Sequence, residues 1–291
     1  ISAELRQQLK SQKHHIDILE QKLFEISEKL NENRVENQEA KGLSHLRTSL
    51  RSLDLSEKII QKVIKKAVFE LSTDDLNDFD LVNDFGLREL NSLIKVEMPL
   101  FSKINMAEES FATVLLSETS SGQSSMALKL AVLKENVKVI RFRENDIDAM
   151  NSDFTAQIFK IDIATVNTLS HLMSEARRAI ADGKSLILDL KLTFKEANES
   201  KKFIETLKRS FENVDFYVNI SAINSEIYNR KILSKYQGFV NGVTISYIDQ
   251  CLSFGKILNV HEEYNNLPLI FFGTGATVPD DIEAASAERL L

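Results

Sequence analysis

The sequence predicts an α/β fold: a mainly parallel sheet covered by helices, preceded by a helical bundle and an N-terminal heptad helix. Three observations carry this. After Pro99, short β-branched or apolar runs alternate with helical stretches, the pattern of βαβ units. Before Pro99 the text is helical and leucine-rich. Between Val114 and Ser125 the layout is a buried strand, a tight loop of small residues and a helix start. In α/β proteins that layout cradles phosphate on backbone N–H groups and a helix dipole.

With 291 residues, 43% of them hydrophobic, the chain can bury the core of one large α/β domain beside a smaller helical piece. The net charge of −7, without Lys/Arg runs interleaved with aromatics, argues against a nucleic-acid partner. Cys251, the single cysteine, allows no internal disulfide and points to a reducing compartment, where it reads as a small buried apolar residue. No apolar run approaches the ~18 residues of a membrane span, and no signal-peptide layout opens the chain. A cytoplasmic location is expected, with peripheral association at a membrane or cell pole left open.

Three segments are expected: residues 1–42 as heptad helix and linker, 43–100 as bundle, 101–291 as α/β domain. Leu9, Ile16, Leu23 and Leu30 form one seam and Leu5, Leu19 and Ile26 the other, with Gln12 the polar exception. This fits a coiled coil or a long helix lying on a partner, and equally an amphipathic helix docked on its own domain. Asn31 to Gly42 is polar, with Gly42 as the break. Helices are expected around Leu46 to Leu53, Ser56 to Leu71 and Leu87 to Glu97, with a turn or further helix from Thr73 to Phe79.

Strands are predicted at Ala112 to Leu116, Val137 to Phe142, Leu186 to Asp189, Val214 to Ile220, Val240 to Ile245 and Leu267 to Phe272, with a shorter one around Phe159 to Ile163. Between them lie helical stretches at Gly122 to Lys134, Ala164 to Ala181, Lys195 to Phe211, Ser225 to Tyr236 and Leu252 to Tyr264. Ligands of such sheets bind beyond the carboxyl ends of the strands. The loop before Gly122, Asp189, the Tyr247 to Asp249 turn and the Gly273 to Ala276 loop all fall there.

The phosphate-loop pattern is Gly, four residues, Gly, Lys, then Ser or Thr. Here the frame reads Ser117, four residues, Gly122, Gln123, Ser124, so the charge is missing. Three further segments carry a family likeness: Lys129-Leu130-Ala131 after the loop, Ser253-Phe254-Gly255 with Ile257-Leu258, and Phe271 to Glu283 followed by Ala287 to Leu290. On these residues, from about Leu43 to Leu291, the chain resembles the signal-recognition-particle GTPases, and within them the flagellar branch. The resemblance implies a P-loop NTPase-like G domain behind a helical N domain.

Carried over onto this sequence, the family's site is altered in four motifs. Ser117 and Gln123 replace the loop's first Gly and its Lys, while Gly122, Ser124 and Ser125 remain. Arg143-Glu144-Asn145-Asp146 stands for Asp-Thr-Tyr-Arg, so acid and base are exchanged. Asp189-Leu190-Lys191-Leu192-Thr193 keeps the Asp of Asp-Thr-Ala-Gly-Arg but loses its Gly and Arg. Ser246-Tyr247-Ile248-Asp249 keeps the acid that would accept from guanine and loses the Lys that covers the base.

The expected vestigial nucleotide-binding residues are therefore Gly122, Gln123, Ser124, Ser125, Asp189, Asp249, Gly273 and Gly275. No catalytic residue, metal ligand or cofactor is expected, since Gln cannot neutralise β- and γ-phosphate oxygens; weak GTP or GDP binding stays open. The bland readings are tight-turn glycines, helix N-terminal hydroxyls and capping acids. His14, His15, His45, His171 and His261 lack metal-ligand spacing. The resemblance implies a pseudo-GTPase scaffold in flagellar placement or assembly. Its partners would be flagellar, polar or membrane-associated proteins or a GTPase of the same family, with homodimer formation through residues 1–33 as one option. The competing reading is a divergent, active GTPase in which Lys191 substitutes for the lost lysine. A general targeting receptor of the family is disfavoured by Val278 to Glu283.

Overall fold

The computed structural model describes residues 39–99, 111–134, 136–143, 154–192 and 197–291. The expected heptad helix at 1–33 lies outside the described residues, as do Glu144, Asn145, Asp146 and Thr193. The chain divides into two compact units, whose described residues are 39–51 with 60–86, and 52–59 with 87–99 and 111–291 apart from the gaps above.

The helical elements are α1 (Lys41–Ser52), α2 (Glu57–Glu70), a 3-10 turn (Asp75–Asn77) and α3 (Phe79–Leu93). In the first unit Leu43, Leu46, Leu50, Ile60, Val63, Ile64, Ala67, Leu76, Val82 and Phe85 are buried, the apolar stripes of amphipathic helices turned inward. Gly42 corrects the sequence reading. It is no break but lies in the first turn of α1, where a Cβ would stand 2.6 Å from the Leu76 carbonyl oxygen. Close backbone approach, not chain reversal, requires glycine there. The helix expected from Leu87 to Glu97 also shifts, starting at Phe79 and ending at Leu93. The Asp78 carboxylate accepts from the N–H groups of Asp80 and Leu81 and so fixes that start.

In the second unit the order is β1 (Ala112–Ser117), α4 (Gln123–Leu133), β2 (Val137–Arg143), α5 (Phe154–Ile158), β3 (Asp162–Val166), α6 (Leu169–Ala181), β4 (Ser185–Lys191) and α7 (Ala197–Lys208). It continues with β5 (Val214–Ser221), α8 (Glu226–Tyr236), β6 (Gly242–Ser246), a 3-10 turn (Ile248–Gln250), α9 (Gly255–Glu263), β7 (Leu269–Gly273) and β8 (Ile282–Ala284). The sheet order is β3-β2-β4-β1-β5-β6-β7-β8, parallel except for β8, which runs antiparallel to β7. Ala164, expected to open a helix, lies in β3; Thr168 caps α6 instead, its hydroxyl accepting from the His171 N–H. The edge strand β8 was not foreseen, because three residues show no readable period.

Strand order reverses about β1, which pairs with β4 on one side and β5 on the other. Its residues are buried throughout, as expected for a strand covered on both faces. Leu115, Val139, Ile187, Tyr217 and Phe271 pack with Met126, Ala127, Leu130 and Ala131 of α4. This seats the N-terminus of α4 at the carboxyl end of β1, where the candidate site forms.

The sequence offered no reason to notice His261. It is 4% exposed on α9, and its Nε2 accepts the Lys95 N–H at 3.0 Å. Burial, reinforced by the Lys95 charge, pushes its pKa down to about 4. Because the folded value lies below the unfolded one of about 6.5, the stabilisation is present above that pH and is lost as pH falls toward about 4. The loss is on the order of 3 kcal/mol. Urea midpoints measured near pH ~7 and pH ~4.5 are expected to differ more in the wild type than in His261→Gln.

Candidate functional site

The loop between β1 and α4 is held from many sides. Gly122 has φ of +82°, and a Cβ there would stand 2.7 Å from the Ser246 Cβ, so both the turn and the close approach require glycine. Glu118 is ion-paired with Lys235 and accepts the Tyr236 hydroxyl at 3.0 Å. Asn219, 2% exposed on β5, donates to the Ser121 carbonyl at 2.6 Å and to its hydroxyl at 2.9 Å. The Asn219 carbonyl oxygen in turn accepts from the hydroxyls of Thr244 and Ser246, at 2.7 and 3.2 Å. One buried amide thus ties the loop to β5 and β6, and nothing in the sequence singles it out.

Gln123 is 3% exposed, and its side chain is engaged with a neighbouring strand. Its Nε2 donates to Asp189 Oδ1 at 2.5 Å, leaving Oε1 buried without a hydrogen-bond partner. Asp189, wholly buried at the end of β4, accepts at Oδ2 from Arg143 Nη2 at 2.6 Å. The same Nη2 donates to Ser124 Oγ at 2.8 Å, and Nη1 donates to the carbonyls of Asp189 and Phe142. Sheet register explains the convergence: Arg141 pairs with Asp189 and Arg143 with Lys191, so all four share one face. Arg141 Nε lies 3.5 Å from Asp189 Oδ2.

Two adjoining cavities flank this cluster. One, about 330 Å3, is lined by the loop residues, Gln123, Ser124, Arg143, Lys191 and Tyr247. The other, about 210 Å3, is lined by Ser125, Lys129, Tyr247, Asp249, Gly273 and Gly275. Gly122, Ser125 and Tyr247 border both. The predicted residues are therefore gathered at one end of the sheet but divided: Gln123, Ser124 and Asp189 on one side, Asp249, Gly273 and Gly275 on the other. Asp249 is exposed in its 3-10 turn. Tyr247 holds a left-handed backbone at φ +63°, uncommon for a bulky residue and without a glycine to signal it.

Lys129 had only its position in the motif to recommend it. Its ammonium, 2% exposed, donates to the carbonyls of Gly275 at 2.6 Å and Asp281 at 2.8 Å, pinning the last loop to α4. Burial lowers its pKa, against the opposing pull of Asp281 and Asp249.

Where this kind of loop binds a nucleotide, the hydroxyl after the lysine and an acid on a neighbouring strand hold Mg2+. Ser124 and Asp189 occupy those positions, and both are bonded to Arg143. The residues present do not fit a magnesium triphosphate.

No family model matches the sequence. The chain is 22% identical over 278 aligned residues to the flagellar biosynthesis protein FlhF of Treponema pallidum, an alignment covering 87% of this chain. It spans about 60% of the length of that curated relative. The fold is similar to FlhF crystallised with GTP and Mg2+, with TM-score 0.66 at 16% identity, covering 85% of this chain and 96% of that one. It is likewise similar to the signal recognition particle receptor FtsY of Elizabethkingia anophelis, with TM-score 0.65 at 14% identity, covering 85% and 83% of the two chains. The fold is thus that of the signal-recognition-particle-type GTPases. The sequence likeness to FlhF points in the same direction as the fold.

Replacing Asn219 by Ala leaves Ser121, Thr244 and Ser246 without their buried partner. The expected cost is about 2 to 4 kcal/mol, read as a lower urea midpoint with an unchanged slope.

Proposed function

We propose that this chain is a scaffold of the signal-recognition-particle GTPase fold that no longer turns over GTP and acts through protein contacts in flagellar placement or assembly. One observation carries the reading: at the loop position where a lysine would neutralise phosphate oxygens stands Gln123, its amide committed to Asp189. Losing the charges that stabilise a transferring phosphoryl group costs catalysis several orders of magnitude. The flagellar assignment rests on the homology to FlhF. Among the described residues no helix is long and apolar enough to cross a membrane.

Calorimetry with GTP, GDP and ATP in the presence of Mg2+ tests the reading. No binding tighter than about 100 µM and no phosphate release are expected; affinity near about 1 µM with turnover would overturn it. Gln123→Lys alone is expected to leave GTP binding unrestored, because the guanidinium of Arg143 remains on Asp189 and Ser124.

Partner contacts are assigned to the heptad stretch. Deleting residues 1–33 is expected to weaken self-association or capture of a flagellar or polar protein; an unchanged sedimentation profile together with unchanged capture would remove that role.

A second reading, an active divergent GTPase, is favoured by one feature. Lys191 lines the same cavity as Gln123 and could supply the missing charge. Under that reading Lys191→Ala abolishes turnover, whereas the scaffold has none to lose.

A further inference from the structure

Arg143 makes four hydrogen bonds: Nη2 to Ser124 Oγ and Asp189 Oδ2, Nη1 to the carbonyl oxygens of Asp189 and Phe142. Its side chain is 11% exposed and that of Asp189 is fully buried. With Gln123 on Oδ1, each carboxylate oxygen of Asp189 already accepts a donor, and the Ser124 oxygen does too. A divalent ion, at about 2.1 Å in near-octahedral geometry, would have to share those oxygens with the donors already on them. It would also sit within about 4 Å of a guanidinium. Two like charges that close repel strongly in a partly buried site.

We infer that Arg143 is a resident cation, built into the chain, that takes the place of a divalent metal between the loop hydroxyl of Ser124 and the buried carboxylate of Asp189. The inference rests on the scaffold reading and deepens it. A metal with its nucleotide is a ligand, and the order it brings depends on its concentration. A guanidinium on β2 is always present. It joins the start of α4, the end of β2 and the end of β4 through one side chain, so this face of the domain keeps one arrangement with or without nucleotide and Mg2+. Truncating it would leave Asp189 charged, buried and without its strongest partner.

The test is a Mn2+ titration of the full chain without nucleotide, followed by electron paramagnetic resonance and paired with thermal melting. The wild type is expected to bind no Mn2+ in a manner sensitive to Asp189→Asn, and to melt at the same temperature with and without metal. Arg143→Asp exchanges the guanidinium for a second carboxylate beside Asp189. It is expected to bind Mn2+ at least about tenfold more tightly than the wild type, and to melt higher when the metal is present. Adding Asp189→Asn removes both gains. Arg143→Lys, which keeps a cation in place, stays blind to metal. A wild type that binds Mn2+ through Asp189 would overturn the inference, as would a folded Arg143→Asp with no gain, or an Arg143→Lys that binds Mn2+ through Asp189. If Arg143→Asp does not fold, the wild type and Arg143→Lys decide the matter. GTP binding by the wild type without metal would overturn the scaffold reading and leave this one standing, so the two failures are distinguishable.

Discussion

A carboxylate with no exposed surface must be neutralised, and in this protein the neutralising group is chosen by sheet register. Asp189 ends β4 beside β2, where Arg141 and Arg143 point to the same face. A buried charge left alone is among the costliest features a fold can carry. The pair with Arg143, backed by the Gln123 amide, therefore constrains everything around it: the start of α4, the rotamer of Ser124 and the position of the loop. Where a related site would leave such an acid for a metal, here the chain satisfies it internally.

The loop repeats this logic on its other flank. Glu118, Ser121 and Gly122 are held respectively by Lys235 with Tyr236, by Asn219, and by the close approach of Ser246. Lys129 places its charge on two carbonyls of the closing loop. Polar groups that could meet a nucleotide are turned onto the protein itself.

Legibility in the sequence followed the range of the forces involved. The six long strands were readable because each is a local run of apolar and β-branched residues. The passage from helices to alternating strands after Pro99 was readable because the hydrophobic period changes there, but the compact units do not divide at that point, since 52–59 and 87–99 group with the sheet. Gly42 was misread because a glycine in a helix looks the same as a break until Leu76 is seen against it. Gln123, Ser124 and Asp189 were legible as an altered motif. The exchange of acid and base at Arg143 was visible as well, but not that its guanidinium folds back onto Asp189.

The sequence by itself determined the α/β class, the loop's location at the end of β1 and the absence of a lysine from it, since these depend on spacing and residue type along one stretch. Tertiary structure alone decided which side chains meet at that loop. Arg143 reaches Asp189 only because β2 and β4, 46 residues apart at these two side chains, pair in one register. Asn219 reaches Ser121 only because β5 lies next to β1. Electrostatic pairing and burial act across space, and the distance along the chain carries no trace of them.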